Sequence, residues 1–291
     1  MHPRNIHQES YDFKALIETL PALEKHVLKT KGGNLSIDFF NPEAVKLLNK
    51  ALLVKHYKIS TWDIPKAYLC PPIPGRVDYI HYLADLLAEG NKGKIQKGNK
   101  VKCLDIGTGS SVVYPLLGNA IYGWSFIATE IEDKSLIAAN RNISENGLDE
   151  VIELRKQMNS KFILKDILNP KDKIDLVMCN PPFHGSEAEA SEGSKRKNKN
   201  LKQEETLVPQ LNFGGKHNEL WYPGGEKNFI KKLIFESSKH KEQCKWFTCL
   251  ISKKDTVYPV KKALKKIGVK EQRFISMKQG NKASRFVAWQ F

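Results

Sequence analysis

Apolar residues follow two rhythms along this chain, and the change between them falls near residue 100. Before it, Ala44, Val45, Leu47, Leu48, Ala51 and Leu52 recur at the 3.6-residue spacing of an amphipathic helix over Pro42–Val54. Asn41 stands where an N-cap belongs, and Pro42 takes the first helical position, where a missing N–H costs nothing. The cluster Pro71-Pro72-Ile73-Pro74-Gly75 cannot continue a helix, so it predicts the close of this stretch and a new helix from near Arg76. Residues 91–100, NKGKIQKGNK, read as a polar turn.

From Val101 short apolar runs alternate with helical patterns. The runs at 101–107 (VKCLDIG), 125–131 (SFIATEI), 151–157 (VIELRKQ), 173–180 (KIDLVMCN) and 246–252 (WFTCLIS) predict strands. Residues 134–146 predict a helix with Leu136, Ile137, Ala139 and Ile143 on its inner side and Gly147 as its C-cap. A lysine-rich helix follows the fifth strand through Lys266, and segments 271–278 and 284–291 close the chain as a hairpin. The alternation predicts an α/β fold: an open, mostly parallel sheet with helices on both faces and an antiparallel edge. Residues 1–74 then form a helical N-terminal extension and 75–291 the sheet domain, in which 184–225 is a long loop without a convincing strand.

Lysine and arginine outnumber acidic residues 47 to 32, a formal charge of +15. A surplus of that size points to a polyanionic partner, because phosphate contacts release counterions. The five cysteines, Cys70, Cys103, Cys179, Cys244 and Cys249, form no CxxC pair and no metal-ligand spacing. An odd count without a secretory pattern argues for a reducing compartment, and no run of about 18 apolar residues occurs, so a cytoplasmic protein is expected. Nothing in the sequence suggests an obligate dimer, and a monomer is expected.

Ligands of such sheets bind beyond the carboxyl ends of the strands. The first strand ends in Asp105-Ile106-Gly107-Thr108-Gly109-Ser110, whose glycines let the backbone approach a nucleoside. Val112 stands where a GxGxxG fingerprint has its third glycine. The second strand ends in Glu130, where a carboxylate can accept hydrogen bonds from both ribose hydroxyls. Asp166 reads equally well as a contact to the cofactor's adenine amine or as a surface acid.

At the end of the fourth strand stands Asn180-Pro181-Pro182-Phe183. Two prolines would end any strand in an ordinary loop; the whole tetrapeptide facing a nucleoside site asks for more. An adenine N6 lone pair is delocalised into the ring and is a poor nucleophile. The Asn180 side-chain oxygen and the Pro181 carbonyl can accept both amine hydrogens, which turns the lone pair out of the ring plane. Phe183 can stack on an extruded base, an interaction worth about 1–3 kcal/mol. Catalysis of this kind rests on orientation and electrostatics, with no metal. His184 is not needed as a base, because the amine becomes acidic only after methylation and water then takes the proton.

DIGTGSSVVYPLLG, ATEIEDKSLIAANRN and CNPPFH, together with HPRN at 2–5, PPIPGRVDYIHYLADLL at 71–87, ELWYPGGEKNFIKK at 219–232 and the terminal SRFVAWQF, resemble the bacterial 23S rRNA adenine-N6 methyltransferases. They are similar also to the eukaryotic relatives that methylate small nuclear RNA. That resemblance implies S-adenosylmethionine as cofactor, a seven-stranded Rossmann-like sheet and ribosomal RNA as substrate, free or in an assembling large subunit. It implies Arg76, Gly107, Glu130 and Asn180 at the cofactor; the reading of the strand ends adds Asp105, Thr108 and Gly109 as candidates there, with Asp166 as the open one. Lys195, Arg196 and Lys197 in the long loop read either as a phosphate grip or as a solvated loop. Three alternatives stay open: a glutamine-N5 methyltransferase, whose similar turn ends in tyrosine, a DNA adenine methyltransferase, and a non-catalytic RNA-binding protein of the same fold.

Overall fold

The computed structural model describes residues 1–66, 68–185, 221–279 and 282–291, and everything below concerns these. The chain opens with α1 (Phe13–Thr19), a 3-10 turn (Pro21–His26), a short antiparallel pair of β1 (Val27–Lys29) and β2 (Leu35–Ile37), and α2 (Pro42–Tyr57). The helix α3 (Ile73–Glu89) leads into β3 (Lys102–Ile106), α4 (Val113–Tyr122), β4 (Ser125–Glu130), α5 (Asp133–Ser144), β5 (Ile152–Lys156) and β6 (Ile174–Cys179). After the loop come α6 (Gly225–Ser237), β7 (Cys244–Ile251), α7 (Val257–Ile267), β8 (Glu271–Gln279) and β9 (Lys282–Gln290).

Seven strands form one sheet in the order β5-β4-β3-β6-β7-β9-β8. β5, β4, β3, β6 and β7 run parallel, whereas β9 is antiparallel to β7 and to β8. The expected α/β sheet with an antiparallel edge is therefore observed. Its register lines up Ile127, Leu104, Val177, Phe247 and Trp289 in one row across five strands. All five are buried, and the Phe247 and Trp289 rings stack at 5.7 Å. This row faces Ile230, Leu233 and Ile234 of α6 and Val260 and Leu264 of α7 in one core. On the other face Phe126, Cys103, Leu176 and Trp246 join a second core with α3, α4 and the N-terminal helices. Burial on both faces is why these strands read as continuous apolar runs.

That second core runs without a break from the N-terminal residues Phe13, Leu16 and Leu23 into the sheet. Two further ties bind the extension to the turn after β3. The Trp62 indole donates to the Ser111 carbonyl at 3.0 Å. Asn142 on α5 donates to the carbonyls of Asp63 and Ser110 at 2.8 and 3.1 Å.

Several expectations need correction. The helix α3 begins at Ile73, not near Arg76, because Pro74 sits in its first turn, where no intrahelical N–H is required. α2 runs on to Tyr57 and ends on a left-handed Lys58. On α5 the buried side is Ser135, Ala139, Asn142 and Ile143; Ile137 is 70% exposed, because Asn142 takes an inward position for its hydrogen bonds. The helix ends at Ser144 with Glu145 as its C-cap, so Gly147, with φ +64°, lies two residues past the cap. α4 gave no periodic signal because it is apolar nearly all round, and Gly118 lets it lie directly on β4: a methyl group there would run into the Phe126 ring. Gly118→Val is expected to lower the free energy of unfolding by about 1–3 kcal/mol through overpacking, read from urea denaturation. An unchanged midpoint would show that the α4–β4 contact tolerates the added methyl groups.

Candidate active site

The sheet changes winding direction between β3 and β6, since β4 lies on one side of β3 and β6 on the other. Helices leaving in opposite senses open a crevice at that point, beyond the carboxyl ends of the strands. A cavity of about 600 Å³ lies there. The carboxyl ends of β3, β4 and β6 bring Gly107, Thr108, Gly109, Glu130, Asn180 and Pro182 to its wall, and α3 adds Arg76.

Each side chain has a local reason to be there. Gly107 and Gly109 have φ of +68° and +65°, so the turn after β3 needs residues that enter the left-handed region without cost. Val112, in the place of the third glycine, is also left-handed at φ +44° and fully buried. A β-branched residue there is strained, so the backbone keeps the turn even where the glycine is lost. Glu130 is held by backbone N–H groups: Ile131 and Glu132 donate to Oε1 at 2.7 and 3.1 Å, and Gly109 donates to Oε2 at 3.0 Å. Oε1 is thereby saturated, and Oε2 keeps capacity for one more donor.

Arg76 sits in the first turn of α3, donates from Nη1 to the Tyr114 hydroxyl at 2.8 Å and lies 5.4 Å from that ring's centroid. Asp105 is buried just below the wall. Burial pushes its carboxyl up to about 7, against a hydrogen bond from the Thr108 side chain; the negative Glu130 adds to the shift and Arg76 opposes it. Burial raises Glu130 too, against the pull of its three backbone donors. Among the described residues, Arg76 Nε and Ser110 Oγ are buried without a hydrogen-bond partner. Two such orphans, one on the glycine turn and one on α3 beside it, mark a place where a polar ligand belongs.

Asn180 and Pro182 line the cavity; Pro181 between them is buried, and Phe183 is not on the wall. The aromatic wall is instead Phe162, Trp221, Tyr222 and Phe229. The strand-like bridge His184–Trp221 and the Tyr222 N–H, which donates to the His184 carbonyl at 3.0 Å, tie that wall to the turn after β6. Gly225, with φ +70°, brings its backbone against Gly185. Glu226, 1% exposed, fixes the whole corner: its carboxylate accepts from Ser252 N and Oγ at 2.6 and 2.5 Å and from Lys253 N at 3.1 Å. Asp166 does not line this cavity but a smaller neighbouring one, and the strand-end position is filled by Gln157 after β5. Strand-end logic applied to 151–157 finds Gln157; Trp221 and Tyr222 follow no strand and could be found only by their place in the 219–232 block. Lys195, Arg196 and Lys197 lie outside the described residues.

A doubly wound sheet of this order, with β9 set antiparallel between β7 and β8, is an α/β fold that takes its ligand in the crevice at the switch point. The chain belongs to the RNA methyltransferase family, whose pattern matches residues 1–291. It is 51% identical to the ribosomal RNA large subunit methyltransferase F of Flavobacterium johnsoniae, covering 100% of this chain and 93% of that protein. The Pseudomonas putida protein of the same name is 50% identical, with coverage of 100% and 93%. Among solved structures, the catalytic domain of human METTL16 in complex with MAT2A 3′UTR hairpin 1 superposes with a TM-score of 0.85 at 33% identity, covering 100% and 95% of the two chains. The N-terminal domain of human METTL16 in complex with SAH gives 0.79 at 31%, covering 100% and 98%.

The raised Asp105 carboxyl makes stability depend on pH with a definite sign. An unfolded aspartate titrates near 3.9, so the folded state binds the proton more tightly and ∂ΔG/∂pH is negative in between. Wild-type stability is expected to fall, relative to Asp105→Asn, as pH rises from about 4 to about 7. Parallel urea-unfolding curves for the two proteins across that window would show that Asp105 is not perturbed.

Proposed function

We propose that this protein methylates the N6 amine of one adenine in 23S ribosomal RNA, with S-adenosylmethionine as methyl donor. The observation that carries the reading is the convergence of Asn180 with Gly107, Glu130 and Arg76 on one cavity. The orphaned polar atoms fit the cofactor. Glu130 Oε2 would accept from the ribose, and Arg76, with its unpartnered Nε, would meet the methionyl carboxylate. The glycine turn would carry the nucleoside. When bound, S-adenosylmethionine supplies a methyl carbon attached to a positively charged sulfur.

The chain's own residues handle the amine. The Asn180 side-chain oxygen and the Pro181 carbonyl accept its two hydrogens, which weakens conjugation with the ring and aims the lone pair into the cavity. Two consecutive prolines hold that corner, so little ordering is left for the moment of binding. Trp221 and Tyr222, rather than Phe183 alone, offer the rings against which an extruded base can stack. The methylated amine then loses its proton to water. Residues 1–74, which reach the cavity through Leu69 and Pro71, and the loop 184–225 with Lys195, Arg196 and Lys197 are the RNA-facing elements of this reading. The relatives named for large-subunit ribosomal RNA favour that substrate over DNA or a protein glutamine.

Asn180→Ala is expected to abolish methyl transfer to 23S rRNA while cofactor affinity stays within about tenfold, measured by transfer of labelled methyl and by calorimetry. Retained transfer would remove Asn180 from the chemistry. Alanine at Lys195, Arg196 and Lys197 together is expected to flatten the salt dependence of RNA binding by about 0.7–0.9 in logarithmic slope per lost phosphate contact. Wild-type binding at every ionic strength would exclude the loop from the interface.

A further inference from the structure

A second cavity of about 440 Å³ lies between the segment after β5 and α6. It shares Phe162 and Lys232 with the first, so the two adjoin through a common wall. Its chemistry is that of a nucleic-acid surface, with flat rings and cations interleaved. Lys165 Nζ stands 4.4 Å and Lys232 Nζ 5.7 Å from the Phe162 ring centroid, and Lys239 Nζ stands 5.5 Å from that of Phe235. Helical spacing places Lys232, Phe235 and Glu236 on one side of α6, with Lys239 in the turn that follows. Phe235 is 60% exposed and belongs to neither core.

Glu236 shows that the cavity is built rather than incidental. Its buried Oε2 accepts from the backbone N–H groups of Ile163, Leu164 and Lys165 at 2.9, 2.7 and 3.3 Å. That clamp fixes Phe162 and Lys165 opposite α6. It also takes up three loop N–H groups that could have met an anion there, which shifts phosphate recognition to the lysines. Asp166, in a left-handed conformation at φ +63°, puts a carboxylate on the same wall. A carboxylate accepts only, so it repels a phosphate and suits the exocyclic amine of a base.

We propose that this cavity is a subsite for a nucleotide flanking the target adenine, with its base on Phe235 and its phosphates at Lys165, Lys232 and Lys239. The inference rests on the RNA-methylating reading above and adds a second place where the strand is held. Lys232, on the shared wall, meets the phosphate that joins the flanking nucleotide to the target. An acidic peptide would engage the same lysines but would leave the exposed Phe235 ring without a role, whereas every base presents a face to stack.

The test uses full-length protein and unmodified in vitro transcribed 23S rRNA, with steady-state methyl transfer and filter binding. Phe235→Ala, an exposed change, is expected to raise KM at least about fivefold while kcat stays within about twofold. Lys165→Ala with Lys239→Ala is expected to flatten the logarithmic salt slope of binding by about 1.4, two single-strand phosphate contacts. If wild-type protein methylates the RNA and both variants keep its KM and salt slope, the subsite is overturned and the reading of the active site stands. If wild-type protein transfers nothing to 23S rRNA, the reading fails and the subsite falls with it.

Discussion

The reversal of winding between β3 and β6 is the constraint on which the rest of this structure depends. There helices leave neighbouring strands in opposite senses, and the sheet opens its carboxyl edge. The edge collects Asp105, Glu130 and Asn180 from three different strands. Two buried carboxylates in such proximity are costly unless paired or hydrogen-bonded. The chain meets that cost with three backbone N–H donors on Glu130 and with the Arg76 guanidinium delivered from α3. The extension thus contributes to the crevice as well as to the core, through Leu69 and Pro71 on its wall and Trp62 on the glycine turn.

The turn after β6 depends on a second, more distant set of contacts. Asn180 is fixed by the strand that carries it, but the loop beyond must be pinned if two carbonyls are to hold one amine. The pin is Glu226, buried in the first turn of α6 and joined to the end of β7. Tyr222 and Gly225 carry that anchorage back to His184 and Gly185. The conspicuous Asn180-Pro181-Pro182-Phe183 is therefore one half of a corner whose other half lies some forty residues on, in the block around Tyr222.

The parallel strands were legible because burial on both faces writes a continuous apolar run, and their ends pointed directly to Gly107, Glu130 and Asn180. α4 was not legible: an apolar helix against an apolar sheet leaves no polar stripe to mark its period. The start of α3 was misplaced by reading Pro74 as a breaker, although the first helical turn needs no N–H from it. Asp166, before the fourth strand, reads equally well as a cofactor contact or a surface acid; the Glu236 carboxylate holds the backbone just before it, and Asp166 lines the second cavity while Gln157 lines the first. Trp221 and Tyr222 were invisible as wall residues because their neighbours in space are set by tertiary contacts alone.

The central claim is that the corner at Asn180 presents an adenine amine to a methyl donor. The most direct measurement is the identity of the nucleoside that gains the methyl group when unmodified 23S rRNA is incubated with the protein and a cofactor deuterated at its methyl carbon. Digestion and mass spectrometry should find the deuterated methyl on N6 of adenosine at a single position. Label in any other nucleoside, or only in a protein glutamine when a translation release factor is offered beside the RNA, would contradict the account.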